Sequence, residues 1–206
     1  MISSVMISCS KRNDIREQTL DNLKNTDWDW DVEVILDHEY IGSKDINKIP
    51  PTTRQLIASF NAINVAVKKN KPLIVFMEDD LIFNKHIKHN ILNWYPVKSS
   101  ILNFGSLYTP KNNRCSVEDG EFWYKADCLK LYGSQFYIMS REAAKWAVKN
   151  WNTIEGLQDI RLTRLAKGKA IYYHAPSLVE HREVPSSWGG VNHRSHDFDE
   201  FWKHPT

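Results

Sequence analysis

Short apolar runs alternate along the chain with stretches whose apolar residues recur at helical spacing, and each run ends in polar residues. The run Ser4 to Ile7 stops at Ser8, Cys9, Ser10, Lys11 and Arg12, which predicts a strand opening into a polar loop. A helix follows, with Ile15, Thr19, Leu20 and Leu23 on one face and Asp14 with Glu17 as a capping pair at its start. Val32 to Leu36 reads as a strand covered on both faces and ends at Asp37 and His38. Strand, helix and strand in that order imply a parallel pair. After a polar loop from Ile41 to Pro51, Leu56, Ile57, Phe60, Ile63 and Val67 predict a helix running to Lys68 and Lys69. Leu73 to Met77 is the most apolar strand, and it ends in Glu78, Asp79 and Asp80.

Further on, the pattern predicts a short helix around Ile87 to Trp94 and a strand at Ile101 to Phe104. Between Asn112 and Lys130 it weakens into a polar stretch with aromatic insertions, read as a long loop or hairpin. Tyr132 to Met139 reads as a strand. Ser140 is placed to cap a helix holding Ala143, Ala144, Trp146 and Ala147, another helix starts near Gln158, and Ile171 to Tyr173 is extended. No internal repeat or linker composition divides the chain, so the expectation is one domain over residues 1–206, with 176–206 as an irregular tail or lid. The expected class is α/β, with a mostly parallel central sheet flanked by helices.

Composition narrows the function classes. A 42% hydrophobic content over 206 residues suffices for a packed core, and 27 basic against 25 acidic residues leave a net charge of +2, too small to draw the chain to nucleic acid or acidic membranes. The apolar runs fall far short of the roughly 20 residues a membrane helix needs, and the start does not read as a signal peptide. The expected location is the cytoplasm. Cys9, Cys115 and Cys128 show no paired short spacing, so neither a disulfide framework nor a zinc knuckle is indicated.

The acids at the end of the central strand carry the chemistry. In extended geometry Glu78 and Asp80 point to one side and Asp79 to the other, which offers a pair of oxygen ligands to Mg2+ or Mn2+. Such an ion would neutralise the charge building on a departing nucleoside diphosphate. A solvated turn capping the next helix is the competing explanation. Ser8, Ser10 and Arg12 after the first strand and Asp37 after the second are placed to meet a nucleotide, and the planar fork of Arg54 suits a phosphate. Asp159 lies just inside a helix start after Gly156, where the helix dipole keeps it ionised for accepting a proton, with Glu155 as the alternative base and helix capping as the rival role.

The segment Phe76, Met77, Glu78, Asp79 and Asp80 resembles the acidic strand-end motif of GT-A glycosyltransferases, especially family 25, which includes lipooligosaccharide and collagen galactosyltransferases. Tyr132 to Met139 followed by Ser140 to Ala143 resembles that family's strand-then-helix segment, and Pro176 to His181 resembles its late segment. The resemblance implies a GT-A fold, His181 as a third metal ligand beside Glu78 and Asp80, Asp79 contacting the donor's sugar or ribose, and Asp159 as the base of an inverting transfer. It further implies a nucleotide-sugar donor, taken to be UDP-linked, and a hydroxyl acceptor on a glycan or glycoconjugate. The aromatic and basic loop from Lys111 to Lys130 admits hydroxymethylated DNA bases as an alternative acceptor. Trp188, Gly189, Gly190, His193, Arg194 and His196 are expected to fold over the donor and exclude water. Competing functions are a metal-dependent phosphoesterase or nuclease and a non-catalytic nucleotide-sugar-binding module.

Overall fold

A computed structural model describes residues 1–42, 45–109, 116–126, 135–185, 194–195 and 197–206. Strand β1 (Ile2–Ser8) is buried along its whole length, as a strand covered on both faces must be. Helix α1 (Asn13–Lys24) starts without a side-chain cap, so Asp14 and Glu17 do not form the expected capping pair; Asn13 donates to Glu17 across one turn instead. Strand β2 (Val32–Leu36) then lies parallel to β1.

Helix α2 (Pro51–Lys68) has proline in its first turn, where a missing N–H costs nothing. Its buried stripe is Gln55, Ala58, Ser59, Ala62, Ile63 and Ala66, so small residues bring it close to the sheet while Leu56, Phe60 and Val67 pack at its margins. Strand β3 (Leu73–Met77) runs parallel to β1 on its other side. Then come β4 (Leu81–Phe83), α3 (Ile87–Asn93), α4 (Tyr95–Lys98) and β5 (Phe104–Ser106). The expected strand at Ile101 starts later because the amides of Ile101 and Leu102 both donate to the carbonyl of Pro96, winding the chain off α4.

The weakly patterned stretch contains a hairpin, β6 (Ser116–Gly120) with β7 (Trp123–Ala126). Strand β8 (Phe136–Ser140) leads into α5 (Arg141–Asn150), whose first turn is capped by Ser140 accepting from the amide of Ala143. Helix α6 (Gln158–Leu165), β9 (Ile171–His174) and β10 (Val179–His181) complete the chain order. The stretch from Pro176, expected to be irregular, therefore contains a strand.

The main sheet has the order β2-β1-β3-β8-β5-β9-β7-β6. Parallel pairing of β1 with β2 and β3, and of β5 with β9, combines with antiparallel β8 and β7 so that most strands point one way. Antiparallel β8 fills the centre, directly beside β3. One apolar layer packs α2, α5 and α6 on one face; a second, built around Met77, Phe83, Trp94 and Phe136, covers the other. On that second side β10 pairs with β4 and sets His181 opposite Leu81, one residue from the acids that follow β3.

Candidate functional site

Past the end of β3 the amide of Glu78 still donates to the carbonyl of Gln135 at 2.9 Å, and the chain bends at Asp79 and Asp80. Glu78 and Asp80 face His181, and ligand atoms of the three lie within 4.8 Å of one another. Asp79 turns the other way, toward β1, where its carboxylate accepts from Ser8 Oγ at 2.6 Å. The short β10–β4 pairing holds His181 in place, and the amide of Arg182 donates to the carbonyl of Asp80 at 2.8 Å.

These acids are withdrawn from water: Asp79 and Asp80 are each 3% exposed, His181 is 9% exposed and Glu78 is half-buried. Burial, followed by the neighbouring charge of Asp80, pushes the Glu78 carboxyl up to about 8. Burial opposes ionisation of Asp80 too, but His181 at 3.3 Å and Arg12 at 2.8 Å outweigh it and hold Asp80 below the usual carboxylate range. His181 moves in the opposite sense: burial disfavours its proton, and the hydrogen bond and charge of Asp80 more than restore it. Asp79 is raised by burial despite the opposing influence of Arg12 and Ser8.

The donor set fits a divalent cation. Two carboxylates and an imidazole form the mixed oxygen and nitrogen set that suits Mn2+, and Mg2+ shares the carboxylate preference. His181 Nδ1 is buried without a hydrogen bond, Asp80 Oδ1 meets only His181 Nε2 at 3.3 Å, and the raised Glu78 marks a place where negative charge exceeds its compensation.

Around this group the structure assembles most of the residues singled out in the sequence. Arg12 spans Asp79 Oδ1 at 3.0 Å and Asp80 Oδ2 at 2.8 Å, while Thr19 Oγ1 donates to the Asp79 carbonyl at 2.7 Å, knitting β1 and α1 to the acids. Ser8 and Asp79 thus hold each other. A second network sits at the ends of β1 and β2: Asp37, 2% exposed, accepts from the Ser10 amide at 2.9 Å and pairs with Arg54 at 3.0 Å. Asp159 lies half-buried in the first turn of α6, and its charge contributes to raising Glu78. Glu155 is exposed on the loop before α6 and stands outside the acid group.

Two contributors escaped the sequence reading. Gln158 donates from Nε2 to Glu78 Oε1 at 3.2 Å, and nothing in its neighbours distinguishes it from an ordinary first-turn residue. Tyr108 is buried just past β5, and its hydroxyl is raised by burial and then by the charges of Glu180, Glu78 and Asp80, which places it beside the same group. Its signal was present only as an aromatic after a strand end. Of the expected lid, Trp188, Gly189, Gly190, His193 and His196 lie outside the described residues, and Arg194 pairs with Glu183 on the surface. Cys9 is a buried free thiol; Cys115 and Cys128 lie outside the described residues. Among the described residues no helix is long and apolar enough to cross a membrane.

No protein-family model matches the chain, and no curated protein matches its sequence. Solved structures do. A197 from STIV aligns over 98% of both chains at 13% identity and a TM-score of 0.51. The 4-diphosphocytidyl-2C-methyl-D-erythritol synthase of Anaerococcus prevotii aligns over 86% of this chain and 88% of its own, at 12% identity and a TM-score of 0.51. TarS of S. aureus aligns over 84% of this chain but only 36% of its own length, at 14% identity and a TM-score of 0.51. The fold is GT-A-like. In such sheets ligands bind outside the carboxyl ends of the parallel strands, which is where Ser8 to Arg12, Asp37 and the acids after β3 converge.

Proposed function

We propose that this protein is a metal-dependent glycosyltransferase that moves a sugar from a nucleoside diphosphate donor, a UDP-sugar, to an acceptor hydroxyl. The observation carrying this reading is the convergence of Glu78, Asp80 and His181 at the end of the central strand of a GT-A-like sheet. Glu78, Asp80 and His181 would hold Mn2+ or Mg2+, whose charge stabilises the departing diphosphate. Asp37, fixed by Ser10 and Arg54, offers a carboxylate to the base or ribose, and Arg54 brings cationic charge to the same end. Arg12 brings charge to the diphosphate side, while Ser8 orients Asp79 beneath the sugar. Asp159, at a helix start and near Glu78, takes the proton from the attacking hydroxyl, so the anomeric carbon inverts. The acceptor is a glycan or glycoconjugate hydroxyl, with hydroxymethylated DNA bases as the second class to screen.

A two-metal phosphoesterase using the same acids needs more ligands than the one group of three found among the described residues. The deciding experiment is a mass-spectrometric screen of nucleotide sugars with Mn2+, followed by acceptors, with a phosphodiester in parallel. The expected result is slow, Mn2+-dependent donor hydrolysis that Asp80→Ala abolishes. Cleavage of the phosphodiester with every nucleotide sugar left intact would overturn the proposal, and donor binding without turnover on any acceptor would reduce the protein to a binding module.

A further inference from the structure

Gln158 is 1% exposed at the first position of α6, in a place that leucine would fill with nearly the same volume. Burying a carboxamide is unfavourable unless both of its ends find partners. Here both do. Its Oε1 accepts from Ser59 Oγ on α2 at 2.6 Å, and its Nε2 donates to Glu78 Oε1 at 3.2 Å. The side chain therefore bridges a helix on one face of the sheet to the acid at the end of β3. The helix start bearing it is itself pinned, since Arg161 donates to the carbonyls of Gly156 at 2.8 Å and Trp151 at 2.9 Å.

The polarity of the bridge has a direction. The Ser59 hydroxyl has one hydrogen and two acceptors within reach, the Gln55 carbonyl at 2.7 Å and Gln158 Oε1 at 2.6 Å; given along the shorter contact, it claims the accepting end of the amide. The NH2 group is left to face Glu78, and it stabilises a carboxylate that accepts. Asp80 already has Arg12 and His181 beside it, whereas Glu78 is longer, with more rotatable bonds, and is the most exposed of the three.

We propose that Gln158 is a positioning residue that, oriented by Ser59, fixes the Glu78 carboxylate for ligation of a divalent cation. This rests on the metal site of the proposed function, deepening it by one partner beyond the ligands themselves. Outer partners of metal ligands commonly alter affinity by about 10–100-fold.

The test is Mn2+ titration followed by electron paramagnetic resonance, with no substrate present, and with the melting temperature of each metal-free variant measured in parallel. Wild type against Asp80→Ala establishes the site. Gln158→Leu should bind Mn2+ about tenfold more weakly while remaining folded, and Ser59→Ala about threefold more weakly. The double variant should be no weaker than Gln158→Leu alone, because both changes act through one bridge. Unchanged Mn2+ affinity in a folded Gln158→Leu protein overturns the inference while leaving the metal site intact. If that variant does not fold, unchanged affinity in Ser59→Ala overturns it instead. Failure of wild type to bind Mn2+ removes both the metal reading and this one.

Discussion

Two buried histidines near the same end of the sheet show how differently this fold treats one side chain. His174, at the end of β9, is fully buried against the rings of Trp94 and Trp202, with Nδ1 2.6 Å from the carbonyl of Pro176 and Nε2 without a partner. Burial holds it far down, to about 3, so it is a neutral part of an aromatic cluster. His181, at the end of β10, meets Asp80 at 3.3 Å with Glu78 close by, and its proton is held more tightly than usual. One site avoids charge and the other concentrates it. Aromatic burial keeps His174 out of charge chemistry, whereas a group of acids kept from water and only partly compensated could hold a cation.

The strongest way to break this contrast is Asp80→Ala. It should weaken Mn2+ binding by at least about a hundredfold and abolish donor turnover, with the aromatic cluster around His174 unchanged in near-ultraviolet circular dichroism. Retained Mn2+ binding would mean that the acid group is only structural. Next is Arg12→Ala, which strips the counter-charge from Asp79 and Asp80. Removing one partner from a buried charge network costs about 3 kcal/mol. Urea denaturation should show that loss in metal-free protein, and saturating Mn2+ should return more stability to the variant than to wild type.

His174 gives a smaller effect with a definite sign. Its folded value lies below the unfolded one, so between pH 6.5 and about 3 the unfolded chain binds more protons, and stability is lost as pH falls. Going from pH 6.5 to pH 4.5 should cost about 2–3 kcal/mol through this group. The charge of neighbouring His204 also disfavours a proton on His174. His174→Phe should flatten that slope in denaturation curves, and a slope identical to wild type would show that His174 is not held neutral.

How much of this was legible in the sequence depends on range. The strand-end acids were readable because they close the most apolar run, and Ser140 announced its helix through cap chemistry. His181 was reached only through resemblance, since the β10–β4 pairing joins residues far apart in sequence. Gln158 and Tyr108 were invisible for the same reason. The helix α2 was readable from its apolar spacing, but not that its alanines carry the closest packing against the sheet. Asp14 and Glu17 looked like a capping pair, yet the helix begins at Asn13 and the pair falls out of register.

The smallest effect, and the sharpest on the contrast, is the pH response of His181. Its folded value is raised, so its contribution is complete below the unfolded value of 6.5 and fades as pH rises through the folded one. Glu78, raised to about 8, acts with the same sign: between 4.5 and 8 the folded chain holds its proton more firmly than the unfolded chain does. Asp80 and Arg12 face the same pocket and stay charged throughout. Metal-free protein should therefore lose stability from pH 6 to pH 8 at this site, opposite in sense to the acid loss caused by His174. His181→Gln should reduce that slope without removing it, because Glu78 remains. Bound Mn2+ should reverse it, since the cation takes deprotonated ligands and its affinity rises with pH. Denaturation at pH 6, 7 and 8 with and without Mn2+ reads all of this, and equal slopes for wild type and His181→Gln would place the two histidines in the same class after all.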